Sequence, residues 1–122
     1  MWTIYHNDNC SKSRAALALL TEKGVTFNVI NYLKTPPSLA TLTEIAGSLD
    51  HNIDAMVRMK DDAFAPIKDQ WGTWSDAEKL AHLANNIALL ERPIVVTDDH
   101  RAKIGRPDHT ALLELFEENA HA

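Results

Sequence analysis

The residues best able to do chemistry in this 122-residue chain sit together near its start, in His6-Asn7-Asp8-Asn9-Cys10-Ser11-Lys12-Ser13-Arg14. Cys10 is the only cysteine. Before this stretch, Trp2, Ile4 and Tyr5 form a short run of strand-forming residues. After it, Ala15 to Lys23 is dense in Ala and Leu, with Ala16, Leu17 and Leu20 on one helical face. Gly24 stands where a helix C-terminal glycine belongs, so the helix is expected to begin within a residue or so of Cys10. A thiol at that point meets unpaired N–H groups and the positive end of the helix dipole, which favours thiolate over thiol. Lys12 and Arg14 add positive charge, Ser11 and Ser13 add hydroxyls, and the same geometry cradles oxyanions. The chemistry suggested is thiolate attack on an anionic centre, or a redox exchange. A cysteine is also among the residues most often buried as a small apolar side chain, and the loop alone leaves both readings open.

The elements that must position this loop follow from composition and pattern. With 45% hydrophobic and 24% charged residues, the chain is expected to form one globular domain, burying roughly two-thirds of its unfolded surface. A single cysteine cannot form an internal disulfide, and the N-terminus runs directly into the first strand with no signal-peptide pattern, so a cytoplasmic location is expected. No apolar run approaches the roughly 20 residues that span a bilayer, which argues against membrane insertion. The net charge of −5 and the lack of a basic stripe with interleaved aromatics argue against nucleic acid as a partner. An acidic chain that binds an anion must gather its arginines locally, and these are Arg14, Arg58, Arg92, Arg101 and Arg106.

Val25 to Tyr32 alternates as a strand with one buried face does, giving a strand, helix, strand unit with a parallel pair. Ser38 then starts a helix with Leu39, Leu42, Ile45, Ala46 and Leu49 at helical spacing. Asp50 or Asn52 can cap a short second helix in which Ile53 and Val57 share a face, with Arg58 near its end. Residues 63–70, interrupted by Pro66, read as loop or a broken turn. Ser75-Asp76-Ala77-Glu78 is a capping box ahead of the stripe Leu80, Leu83, Ala84 and Ile87. Trp71 and Trp74 read as packing at the edge of this insert rather than as a stacking platform. Arg92-Pro93-Ile94-Val95-Val96-Thr97 reads as a strand opening at a proline. It turns at 98–101 and returns through 102–104, and a last helix carries Leu112, Leu115 and Phe116 on one face with Glu114, Glu117 and Glu118 solvated. This order predicts an α/β thioredoxin-like fold: βαβ then ββα in a mixed sheet. Its core covers about 1–37 and 91–122, with an inserted helical lobe over about 38–90.

The chain resembles the glutaredoxin-coupled arsenate reductases and their relatives. The resemblance rests on His6-Asn7 followed by Cys10, Ser13 and Arg14; on Tyr32-Leu33-Lys34-Thr35-Pro36-Pro37; on Arg92-Pro93-Ile94-Val95-Val96; and on Gly105-Arg106-Pro107. It implies that Cys10 is the nucleophile, that His6 and Ser13 tune its pKa, and that Arg58, Arg92 and Arg106 bind the oxyanion. It also implies a cis-proline at Pro93, arsenate or a similar oxyanion as substrate, glutathione as co-substrate, glutaredoxin as partner and no bound cofactor. Guanidinium groups suit this task because they grip tetrahedral oxyanions bidentately and keep their charge. One departure is Asp8, where the arsenate reductases more often have proline; its carboxylate would repel arsenate unless it caps the helix.

The alternative reading is a regulator like the Spx family, which shares this fold and binds RNA polymerase. The redox-switched members carry a Cys-x-x-Cys pair, and here Ser13 holds the second position, which excludes an internal disulfide switch. Retention of all three arginines favours the enzyme. A metal site is disfavoured, since His51, His82, His100, His109 and His121 show no ligand spacing.

Overall fold

The computed structural model describes residues 1–117, so Glu118 and His121 lie outside the described residues. In chain order the elements are β1 (Trp2–His6), α1 (Ser11–Glu22), β2 (Phe27–Asn31), α2 (Leu39–Ser48), 3-10 turns at Ile53–Met56 and Asp62–Ile67, α3 (Lys68–Trp71) and α4 (Asp76–Asn85). A 3-10 turn at Ile87–Leu89, β3 (Ile94–Val96), β4 (Ala102–Ile104), a 3-10 turn at His109–Leu113 and α5 (Glu114–Glu117) follow. The chain divides into two compact units, one of residues 1–35 with those from 92 onward, the other Pro36–Glu91.

The first unit is built on a four-stranded sheet of order β2-β1-β3-β4. β1 pairs in parallel with β2, Ile4 opposite Val29, and antiparallel with β3, Ile4 opposite Val95; β3 and β4 form the antiparallel hairpin. This is the mixed sheet of the thioredoxin-like fold. A parallel pair needs a crossover of a dozen or so residues, and the twelve-residue α1 supplies it. Trp2, Ile4, Ala16, Leu20, Val95, Leu112 and Leu115 form one buried cluster, with Phe27 and Phe116 packed on it. β2 does not bury one clean face as its alternation suggests. It is an edge strand, and Val29 stays 51% exposed.

Both ends of α1 carry the expected signals. Cys10 is its N-cap residue, and Gly24 beyond its C-cap takes a left-handed φ of 75°, which glycine adopts without a Cβ penalty. The hairpin turns through His100 at a left-handed φ of 63°. The peptide bonds Arg92–Pro93 and Arg106–Pro107 are both cis. The last helix is shorter than its pattern suggests. Asp108 accepts from the Thr110 N–H at 2.9 Å and starts a 3-10 turn, which becomes α-helical only at Glu114.

The second unit is helical. Ser38 caps α2 by accepting from the Thr41 N–H at 3.1 Å, and the capping box at the start of α4 is complete in both directions, Glu78 N–H to Ser75 and Ser75 N–H to Glu78. Asn52, rather than Asp50, caps the short turn at Ile53–Met56; Val57 lies outside it, bridged to Leu90. Residues 63–70 are more regular than their pattern indicates. Asp61 caps a 3-10 turn that tolerates Pro66 and runs on into α3. Burial of Trp71 anchors this stretch: its indole N–H donates to Asp54 at 2.8 Å, and its ring meets Phe64 edge-on and Trp74 at a tilt. The tryptophans here are packing residues. No helix among the described residues is long and apolar enough to cross a membrane.

Candidate active site

Residues from three parts of the first unit meet at Cys10: the turn after β1, the first turn of α1, and the two ends of the β3–β4 hairpin. The turn between β1 and α1 is closed by its own groups. Cys10 N–H donates to the Asn7 carbonyl at 3.0 Å, Asn9 N–H to the Asn7 side chain at 2.9 Å, and Asn7 N–H to the buried Ser13 hydroxyl at 3.4 Å. The chain therefore enters α1 with the Cys10 side chain at the helix N-terminus. The thiol makes no capping hydrogen bond of normal geometry, yet it faces the N–H groups of the first turn.

The hairpin brings the positive charge. Arg92 lies just before β3, and Arg106 two residues after β4. The Arg106 Nε–H donates to the Arg92 carbonyl at 2.9 Å, and its Nη2 lies 3.8 Å from the Cys10 sulfur. Burial, with Cys10 8% exposed, would by itself raise the thiol pKa. The Ser13 N–H, the Arg92 guanidinium, the Lys12 N–H and the Ser13 hydroxyl outweigh it, and the pKa falls from 9.0 to about 7. The buried-apolar and reactive readings of this cysteine are thus not exclusive, since the sulfur is both shielded and stabilised as thiolate. Alkylation by iodoacetamide should follow pH with an inflection near 7, because only the thiolate reacts. The rate should fall as pH drops through that value, and an inflection at the ordinary thiol value of about 8.5 would contradict the geometry.

The other expected site residues lie as follows. His6 ends β1 and is buried, but its ring does not bond Cys10; Nε2 lies 2.8 Å from the Asp8 carboxylate. Asp8 does not cap α1 and holds His6 instead. Arg58 belongs to the second unit, where its guanidinium pairs with Asp61 at 3.0 Å and its backbone N–H donates to the Leu89 carbonyl at 2.8 Å. Of the remaining arginines, Arg14 donates to the Asp8 carbonyl at 2.8 Å and Arg101 pairs with Asp99 at 3.0 Å. Lys12 extends its ammonium to the Pro107 carbonyl, tying α1 to the chain that follows the hairpin. No cluster of His, Cys, Asp and Glu among the described residues could hold a metal ion.

One residue that sequence reasoning treated only as part of a motif has a definite role in the packing. Gly105 donates its N–H to the Pro93 carbonyl at 2.8 Å, and a Cβ built on it would fall 2.7 Å from Pro93 Cγ. Only glycine lets the two hairpin ends that carry Arg92 and Arg106 approach this closely. Gly105→Ala should destabilise the protein by about 1–3 kcal/mol through overpacking, read as a lower denaturation midpoint in urea. An unchanged midpoint would show that the proline ring yields at no cost.

A mixed sheet of this order, with a stabilised thiolate where β1 hands over to α1, defines a thioredoxin-like thiol protein. Comparison with known proteins narrows the class. The model of the ArsC family matches residues 5–112. The chain is 42% identical over 105 residues to an arsenate reductase of Neisseria meningitidis, covering 85% of this chain and 89% of that protein. It is 41% identical over 110 residues to an arsenate reductase of Haemophilus influenzae, covering 89% and 94%. In structure it is similar to an arsenate reductase from Vibrio cholerae, with a TM-score of 0.82 at 39% identity, covering 91% of this chain and 94% of that one. The chain belongs to the ArsC family.

Proposed function

We propose that this protein reduces arsenate to arsenite, drawing its electrons from glutathione and glutaredoxin. The observation that carries the reading is the thiol of Cys10 set against two guanidinium groups, Arg106 Nη2 at 3.8 Å and Arg92 in a hydrogen bond that favours the thiolate. Such a site attracts a tetrahedral oxyanion and presents a nucleophile to its centre. The Cys10 thiolate attacks arsenic and forms a sulfur–arsenic bond, and one arsenate oxygen leaves as water after taking up protons. The thiolate of glutathione then attacks the Cys10 sulfur. A mixed disulfide forms, the electron pair of the sulfur–arsenic bond passes to arsenic, and arsenite departs. Glutaredoxin takes up the glutathionyl group and returns Cys10 to the thiolate.

The sequence contains no second cysteine, so the second thiol comes from outside the chain, which fits glutathione in that role. No bound cofactor is needed, because the two thiols supply both electrons. Arg58 is carried to the oxyanion by the family resemblance alone, and Arg58→Ala in the activity assay tests it. The decisive experiment couples the purified protein to arsenate, glutathione, glutaredoxin, glutathione reductase and NADPH. NADPH oxidation that requires every component supports the reading. Oxidation that proceeds with thioredoxin and not with glutaredoxin would overturn the choice of reductant, and no arsenate-dependent oxidation with either would overturn the activity.

A further inference from the structure

We propose that Asp8 is a positioning residue for Cys10, latching the turn between β1 and α1 through a carboxylate that holds His6 and a carbonyl that holds Arg14. The inference rests on Cys10 working as a thiolate, and it assigns the residue that aims it.

Asp8 lies in the middle of the turn, with its side chain 69% exposed. An exposed aspartate ordinarily turns into water, yet this carboxylate reaches back 2.8 Å to Nε2 of a histidine that is 2% exposed. An ionised carboxylate can only accept, so the imidazole donates through Nε2–H. The other ring nitrogen, Nδ1, is buried with no hydrogen-bond partner, which makes Asp8 the one polar anchor of the ring among the described residues. On its other side the Asp8 carbonyl accepts from Arg14 at 2.8 Å, while the Arg14 backbone N–H donates to the Cys10 carbonyl at 3.0 Å. Asp8 therefore joins the buried end of β1 to the first turn of α1, and the turn between them carries the sulfur. The remaining cationic groups of this region are engaged elsewhere, Lys12 at the Pro107 carbonyl and Arg92 and Arg106 at Cys10, so they do not substitute for the latch.

A negative charge near a thiolate and a latch that aims the thiolate act in opposite directions, which makes the proposal testable by sign. If Asp8 were only a nearby charge, both Asp8→Ala and Asp8→Asn would lower the alkylation inflection of Cys10. As a latch, Asp8→Ala lets the turn relax away from the N–H groups of Lys12 and Ser13. The inflection then rises from about 7 toward about 8, cutting the alkylation rate at pH 7 about fivefold. Asp8→Asn keeps an acceptor oxygen for the imidazole N–H and should stay close to the wild type. In a His6→Phe background, Asp8→Ala should add nothing further. The experiment is the pH profile of iodoacetamide alkylation for these variants, with unfolding midpoints to confirm that the exposed substitutions fold. A fall or no change in the inflection for Asp8→Ala overturns the proposal. The assay contains no arsenate, so a wild-type inflection near 8.5 would instead count against the thiolate reading itself.

Discussion

Cys10→Ser should abolish turnover while leaving the fold at least as stable as the wild type. A serine hydroxyl is not ionised near neutral pH and cannot be oxidised to a disulfide, so the sulfur–arsenic bond and the mixed disulfide that releases arsenite are both lost. The expected drop in kcat is on the order of 10³-fold or more, the scale seen when a nucleophile is removed from an otherwise intact site. Stability should move the other way. Cys10 is the N-cap of α1 and makes no capping hydrogen bond of normal geometry, whereas serine is a preferred N-cap that can accept from the N–H groups of the first turn. A steady-state assay paired with a urea unfolding curve reads both effects. Turnover that persists in a folded Cys10→Ser protein would remove the mechanism.

Arg92 and Arg106 are expected to show the next largest effects, and to differ from each other in kind. Each guanidinium lost should weaken oxyanion binding by about 1.5–3 kcal/mol, the size of a hydrogen bond to a charged group, or roughly 10- to 150-fold in Kd. Arg92 also lowers the pKa of Cys10, so Arg92→Ala should move the alkylation inflection upward as well. Arg106 donates to the Arg92 carbonyl at 2.9 Å, so Arg106→Ala should loosen Arg92 in addition to removing its own charge. The double variant should therefore lose less than the sum of the two singles. Lysine at either position restores the charge without the planar fork and should rescue only in part. Calorimetry with sulfate as the probe, alongside arsenate turnover, distinguishes these outcomes. Independent, additive losses would contradict the coupling between the two arginines.

The parts of this protein that are legible in its sequence are those set by neighbours along the chain. The apolar run before Cys10, the Ala/Leu stripe of α1, Gly24 at a left-handed φ and the box joining Ser75 to Glu78 each rest on bonds within a few residues, so their signals are local and survive without knowledge of the fold. The placement of Cys10 at a helix start, and with it the share of its lowered pKa that comes from the Lys12 and Ser13 groups, belongs to this class; the share from Arg92 does not. Residues 63–70 escaped it because the burial of Trp71, held by Asp54 seventeen positions away, orders them more than their own pattern does. Which cations reach the sulfur was decided by tertiary structure. Arg106 stands 96 positions from Cys10 in the chain and meets it because β3 pairs with β1, β4 returns beside β3, and Gly105 leaves room for Pro93. Sequence motifs named Arg92 and Arg106 as candidates through family resemblance. Their distances depend on contacts between distant segments that no periodicity encodes. The turn of Asp8 toward His6 rather than toward the helix end spans only two residues, but its side-chain direction leaves no mark in the sequence pattern.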